Sequence, residues 1–370
     1  MANTLTSLIP DVYAALDVVS RELTGFIPAV QRNSTADRVA DGQTLRSIAT
    51  PSNTAGGNIT PAMSLPTAAD QTISNKSLTI SKNRFFPFSW NGEQEQAMDA
   101  GGPGYLTIEQ DQIAQAIRAC VNEIEDDLAI AIKNAASRAY GTTAGTAPVL
   151  ADFSNAGKIL DDNGAPKTDR HVVLNTTGGT ALRNIANLFK VNESGDSTLL
   201  RQGILGNLYG FDLRESAKVS SATAGTGASY TSDTAGYAIG ATSITLITGT
   251  GTVLAGDIVT FTGDTNKYVV TTGVSAPGAI VLAAPGLRVA LAASAVAMTI
   301  FATSARNCAF TRQSVVLATR LPALPKNGDL ASDRQVVTDP RTGLSFEFAC
   351  YPGYRMNTYH LSAAWGYTVF

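Results

Sequence analysis

YLTIEQDQIAQAIRACVNEIEDDLAIAIKNAASRAY, residues 105–140, is the stretch that decides the fold. It contains no Pro and no Gly. Ile108, Ile113, Ile117, Cys120, Val121, Ile124, Leu128 and Ile132 recur at three- and four-residue steps, which places them on one stripe of a helix. Ala129, Ala131, Ala135, Ala136 and Ala139 extend the pattern with the strongest helix former. Thr107 followed by Gln110 reads as a capping box at the start, and Gly141 as a left-handed cap at the end. Such a helix is roughly 50 Å long at ~1.5 Å per residue. It is more than twice the ~10–14 residues of an ordinary globular helix. No second helix of similar length exists to pair with it in a bundle. One long helix in a chain rich in Gly, Thr and Ala reads as a spine on which other elements hang.

The rest of the chain bounds the class. At 370 residues, two or three lobes are expected. Charged residues make up 15%, against ~25% in average domains. The formal charge of −3 argues against a nucleic-acid grip, which needs clustered Lys and Arg. Cys120, Cys308 and Cys350 are scattered and odd in number, so they read as buried thiols in a reducing compartment. The opening residues show no basic region followed by an apolar signal core. The longest charge-free apolar run, residues 289–302, falls short of the ~20 residues of a membrane span. A soluble protein made in a cytoplasm is expected.

Taken in order, residues 10–23 read as a short amphipathic helix started by Pro10. Residues 24–69 are polar and hold Pro28, Pro51, Pro61 and Pro66. That is too long for a loop inside a compact domain. Its scattered Ile27, Val30, Val39, Leu45, Ile48 and Ile59 favour an arm and hairpin lying on another surface over a disordered tail. Residues 71–81 alternate, and 84–90 (RFFPFSW) are the most aromatic stretch, turned by Asn91-Gly92. Residues 100–104 form a hinge into the spine. Helices are expected near 151–160 and 179–189, with a buried strand at 171–174. Residues 220–303 change character, with strands at 244–247, 257–261, 267–272, 279–282 and 297–301 separated by Gly-rich turns. Evenly spaced short strands of this kind read as an inserted all-β domain. At the end, Leu344, Phe346, Phe348 and Cys350 share one strand face. Leu361, Ala363, Trp365, Tyr367 and Val369 share another.

No catalytic constellation emerges. His171 and His360 each stand alone in an apolar strand, where a packed role outweighs a catalytic one. Neither a phosphate loop ending in Lys-Ser/Thr nor a G-x-S-x-G elbow occurs. No clustered metal ligands or cofactor motif stand out. Glu123, Glu125, Asp126 and Asp127 point around the helix instead of onto one face, so acid–base work yields to a solvated face or a docking patch for a basic arm. Phe85, Phe86, Phe88 and Trp90 have few basic neighbours beyond Lys82 and Arg84, which favours packing or an interface over base stacking. These eight residues are the candidate subunit-interface set. The chain reads as built for contacts, and not as an enzyme.

The order of parts resembles the major capsid proteins of tailed bacteriophages. It is similar above all to coat proteins of short-tailed phages that carry an inserted β-barrel domain. The segments that carry the likeness are the spine helix, LDDNGAPKTDRHVVLN (160–175), GNLYGFDLRESAKV (206–219), VLAGDIVTFTGDTNKYVV (253–270), NCAFTRQSVVLATRL (307–321) and DPRTGLSFEFACYPGY (339–354). The resemblance implies an α+β, HK97-like capsid fold with a long spine helix, an N-terminal arm, an extended β-hairpin loop and a small inserted all-β domain. It implies an N-terminal helix and arm at 1–39, an extended loop and strands at 40–92, and a peripheral domain at 93–142. The axial domain takes 143–219 and 304–336 around the insert at 220–303, and 337–370 return to the peripheral domain. The loop of roughly 40–90 is expected across a neighbouring subunit. Pentamers and hexamers in an icosahedral shell around double-stranded DNA follow, as do a scaffolding protein, a portal and a decoration protein as partners. Contact with the packaged DNA is expected to be non-specific, no membrane is involved, and the destination is the virion. Some relatives cross-link a Lys to an Asn of a neighbour. Lys76, Lys82 and Asn357 are the nearest equivalents, but no motif supports the link and none is expected. Maturation cleavage is not expected either. The competing readings are a β-rich tail, fibre or decoration protein, in which repeats would be visible, and a hydrolase using paired acids.

Overall fold

The computed structural model describes residues 24–49, 61, 74–101, 105–141, 148–190, 202, 205–219, 221–339 and 343–370. The expected helix at 10–23 lies outside them.

The long helix runs Tyr105–Ala135. Its 31 residues span about 46 Å. Thr107, read as the cap, therefore stands inside the helix and not at its start. The stripe packs as its spacing requires: Ile113, Ile117, Cys120, Val121, Ile124, Leu128 and Ile132 are all buried. They form one core with the strand faces Phe346/Phe348/Cys350 and Leu361/Ala363/Trp365. Deeply buried thiols follow from the same packing. Burial pushes Cys308 up to about 12 and raises Cys120 as well, so both stay protonated and unreactive at neutral pH.

The helix stops five residues before the expected end. The cause is tertiary. Arg138–Ala139 forms a two-residue strand that pairs antiparallel with Lys267–Tyr268. The Arg138 guanidinium is buried and donates to Asp162 Oδ2 at 3.2 Å, Ile159 O at 3.3 Å and Asn266 Oδ1 at 3.3 Å. Strand pairing and a buried cation held by three acceptors outcompete one more helical turn.

The helix lies on a six-stranded sheet, ordered Gln31–Val39, Val315–Pro322, Met356–Val369, Ser345–Gly353 and Asp333–Thr338, with Lys82–Asn91 also paired to Met356–Val369. Gln31–Val39 runs parallel to Val315–Pro322, and Lys82–Asn91 antiparallel to Met356–Val369. Lys82–Asn91, at the end of the loop expected across a neighbour, is thus a strand of the subunit's own sheet, and the Gln31–Val39 part of the arm lies on that same sheet. Thr44–Ala49 and Ser74–Thr79 pair as a hairpin leaving that sheet, with Leu78 and Ile80 anchoring its base. Gly92–Gly101 is a helix where a turn was expected. Asn91 Oδ1 accepts from the Gln94 amide at 2.8 Å and Gln94 Oε1 accepts from the Asn91 amide at 3.1 Å, a reciprocal cap.

A second layer joins Leu150–Asp162 and Thr176–Arg183 to the sheet Cys308–Thr311, Arg170–Leu174, Phe211–Glu215 and Asn207–Leu208. Phe153, Val172, Leu182 and Phe211 form its core. Ser221–Ala222 pairs with Ser304–Ala305 as a neck. Between them the chain builds a further sheet, joined at its Lys267–Thr272 strand by Arg138–Ala139, with its own core around Tyr230, Val259, Phe261, Tyr268 and Leu282. Ser243–Ile247, Lys267–Thr272 and Ala279–Leu282 fall where their Val, Ile and Thr runs placed them.

Replacing residues 223–303 with a short Gly linker should keep the far-UV helical signal, because every described helix lies outside the neck. It should lower stability by about 1–2 kcal/mol, because Arg138 loses Asn266 and Arg138–Ala139 loses its strand partner. Circular dichroism with urea titration checks both. Among the described residues no helix is long and apolar enough to cross a membrane.

Candidate functional site

The structure brings the aromatic strand and the acidic turn of the spine together within one subunit. Arg84 Nε lies 3.0 Å from Glu123 Oε1, and Lys82 Nζ lies 3.5 Å from Asp127 Oδ1. Asp127 Oδ2 also accepts from the Trp365 indole at 2.9 Å. The basic strand that meets the acidic turn is therefore the chain's own. Lys82 is committed there too.

Glu125 is the clearest correction to the interface set. It is 1% exposed, inside the subunit. Its carboxylate accepts from three successive amides: Gly25 at 2.6 Å and Phe26 at 2.8 Å on Oε1, and Ile27 at 3.0 Å on Oε2. Gly25 is required there, because a Cβ would stand 2.7 Å from Glu215 O. Phe26 then stacks on Phe310, with ring centroids 6.3 Å apart. Glu125 thus ties the segment leaving the N-terminus to the middle of the spine. Asp126 is half-buried, and among the described residues nothing pairs with it.

The four aromatics divide by strand alternation. Phe86, Phe88 and Trp90 pack against the main core, and Phe88 stacks on Tyr359 at 5.1 Å. Phe85 faces the other way and is 60% exposed. It stacks on His360 at 5.0 Å, and His360 lies 4.9 Å from Tyr351. Tyr351 donates to Asp329 Oδ2 at 2.9 Å, and Asp329 is clamped by Arg334. Next to Asp329, Leu330 is 86% exposed. One row therefore crosses three strands and ends in an apolar side chain held out by a tied loop. His360, Tyr351 and Leu330 were missed from the sequence. The alternation that put Phe348 and Leu361 inward also put Tyr351 and His360 outward, so that signal was present. Burial lowers the His360 pKa, which keeps it a neutral aromatic partner at pH 7.

His171 is buried, with Nε2 3.0 Å from Asp169 and Nδ1 3.3 Å from Asp212, and Arg312 lies 3.2 Å from Nε2. This is a structural ion network joining strands. Among the described residues no three His, Cys, Asp or Glu side chains group to hold a metal.

What decides the fold's kinship is the whole arrangement: spine, forked sheet, hairpin and second layer. The capsid chain of cyanophage A-1(L) superposes with a TM-score of 0.50 over 95% of this chain and 91% of that one, at 10% identity. The fold is that of a phage capsid subunit. The capsid chain of cyanophage P-SCSP1u aligns over 95% of this chain and 86% of its own at 13% identity, with a TM-score of 0.49. No protein-family model and no curated protein matches the sequence.

Proposed function

We propose that this chain is a major capsid protein that self-assembles, as pentamers and hexamers, into an icosahedral shell around phage double-stranded DNA. The observation that carries this is the rigid apolar row Phe85–His360–Tyr351 ending at Leu330, displayed on a capsid-type fold. Exposed apolar side chains gathered in one row, with Phe85 at one end and Leu330 at the other, form the kind of patch that a second surface covers. The architecture is HK97-like, with residues 220–303 as an insertion domain between the two parts of an axial domain. The spine and the six-stranded sheet make the peripheral domain. The hairpin reaches toward a neighbouring subunit, and head-to-tail contacts close the rings. Scaffolding, portal and decoration proteins are the partners, synthesis takes place in the host cytoplasm, and the protein acts without catalysis. The exposed Phe85, and not the buried Glu125, is the residue of the original interface set assigned to a subunit contact.

Phe85→Ser combined with Leu330→Ser tests this reading. Both side chains are exposed, so unfolding stability should move by less than about 1 kcal/mol. The assembled fraction, read by sedimentation velocity, should collapse. Unchanged assembly would remove the row from the interface.

A further inference from the structure

A cleft of about 1000 Å³ opens between the end of the spine helix, Leu150–Asp162 and the inserted sheet. Lys133, Lys267 and Arg306 line it. Lys133 and Arg306, with Lys218, also border a small hollow beside Phe26. Lys267 Nζ sits 4.2 Å from the centroid of the Phe301 ring, and the Arg306 guanidinium carbon 5.4 Å from it. Two like charges therefore share one aromatic ring. Among the described residues, none of these four cations has an ion-pair partner. Lys267 spends one proton on the Gly141 carbonyl. Arg306 Nε is buried without a hydrogen-bond partner. Asp257 acts on Arg306, but its carboxylate is occupied by the amides of Gly225 at 3.1 Å and Leu254 at 2.7 Å. Elsewhere in the cleft the cations are satisfied: Arg138 pairs with Asp162 at 3.2 Å, and Arg288 donates to the Asp162 carbonyl at 3.2 Å.

Among the described residues Asp257 is the acid that acts on Arg306, and no acid stands within ion-pair distance of Lys267 or Arg306, so holding the two together in a half-buried cleft costs stability. Burial and the neighbouring Arg306 lower the Lys267 pKa, and burial lowers that of Arg306. Such an arrangement is stabilised when a carboxylate or phosphate enters.

We propose that this cleft receives the acidic helix Gly92–Gly101 of a second copy of this chain. That helix carries Glu93, Glu95 and Asp99 and no Lys or Arg. Glu93 and Glu95 also favour the helix's own positive end. An acid-only helix and a cleft whose lining cations, Lys133, Arg138, Lys267, Arg288 and Arg306, outnumber its acids, Asp152 and Asp162, form a complementary, head-to-tail pair, the type of contact that closes a ring. The occupant rests on the self-assembly proposed above.

Charge exchange tests it. Wild-type protein is first shown to assemble; if it stays monomeric, the capsid reading fails and the cleft is not at issue. Lys133→Glu with Lys267→Glu, and separately Glu93→Lys with Glu95→Lys, should each cut the assembled fraction about tenfold at moderate salt. All four together should restore it to within about threefold. Lys267→Gln, which buries no new acid, serves if the cleft variant fails to fold. Full assembly by either charge-reversed pair or by Lys267→Gln, or failure of the combined variant to recover, overturns the proposal. A fluorescent DNA duplex titrated onto unassembled protein supplies the rival outcome. Binding that disappears in the Lys133→Glu/Lys267→Glu or Lys267→Gln variant would give the cleft to phosphate, and would likewise overturn it.

Discussion

Glu125→Ala should destabilise the subunit by about 3–5 kcal/mol, the cost of leaving buried amides without acceptors. Three amides, Gly25, Phe26 and Ile27, lose their partner at once. Phe26 and Ile27 are both 0% exposed, so water cannot replace the carboxylate without opening the core. The loss should propagate to Gln31–Val39, the edge strand that follows the anchored turn. Glu125→Gln keeps one carbonyl oxygen in place and should cost roughly half as much. The measurement is urea unfolding of the unassembled subunit. Hydrogen exchange at residues 24–39 should rise in the alanine variant before the spine amides lose protection. Loss below about 1 kcal/mol would mean that the turn holds itself.

Trp365→Ala should cost a similar ~3–5 kcal/mol. Trp365 is 0% exposed and lies in the main core, against the stripe of the spine. Its removal leaves a large cavity. It also takes the indole donor from Asp127, whose remaining partner is Lys82 at 3.5 Å. Trp365→Phe separates the two terms, since it fills most of the volume but leaves the carboxylate without the indole. The phenylalanine variant should recover more than half of the lost stability in the same urea titration. If it recovers none, the Asp127 hydrogen bond and not the packing governs this site.

The contrast between these two residues shows what can be read from sequence. Trp365 belongs to an alternation that also contains Leu361 and Ala363, and period two sends that set to one face. Its burial was legible. Glu125 was not. It sits among four acids whose spacing assigns no single face, and its partners are backbone amides about a hundred residues earlier. Helix periodicity reports the stripe a residue occupies, not whether a distant turn will arrive to cover it. The early stop at Ala135 has the same origin, because Arg138 leaves the helix for a strand and an acid that come later in the chain. The Gly92–Gly101 helix was different. Its Asn-x-x-Gln cap is written in adjacent residues, and the Asn-Gly turn signal beside it masked the cap. In the candidate contact surface, Phe85 was legible only as one of four aromatics suited to packing or an interface. Separating it from Phe86, Phe88 and Trp90 required knowing which face of the strand the spine would cover.

Electron microscopy of the purified chain, paired with sedimentation velocity across a concentration series, tests the central claim most directly. Self-assembly predicts five- and six-membered rings or closed shells that grow at the expense of a subunit peak as concentration rises. A single compact monomer at every concentration would contradict it.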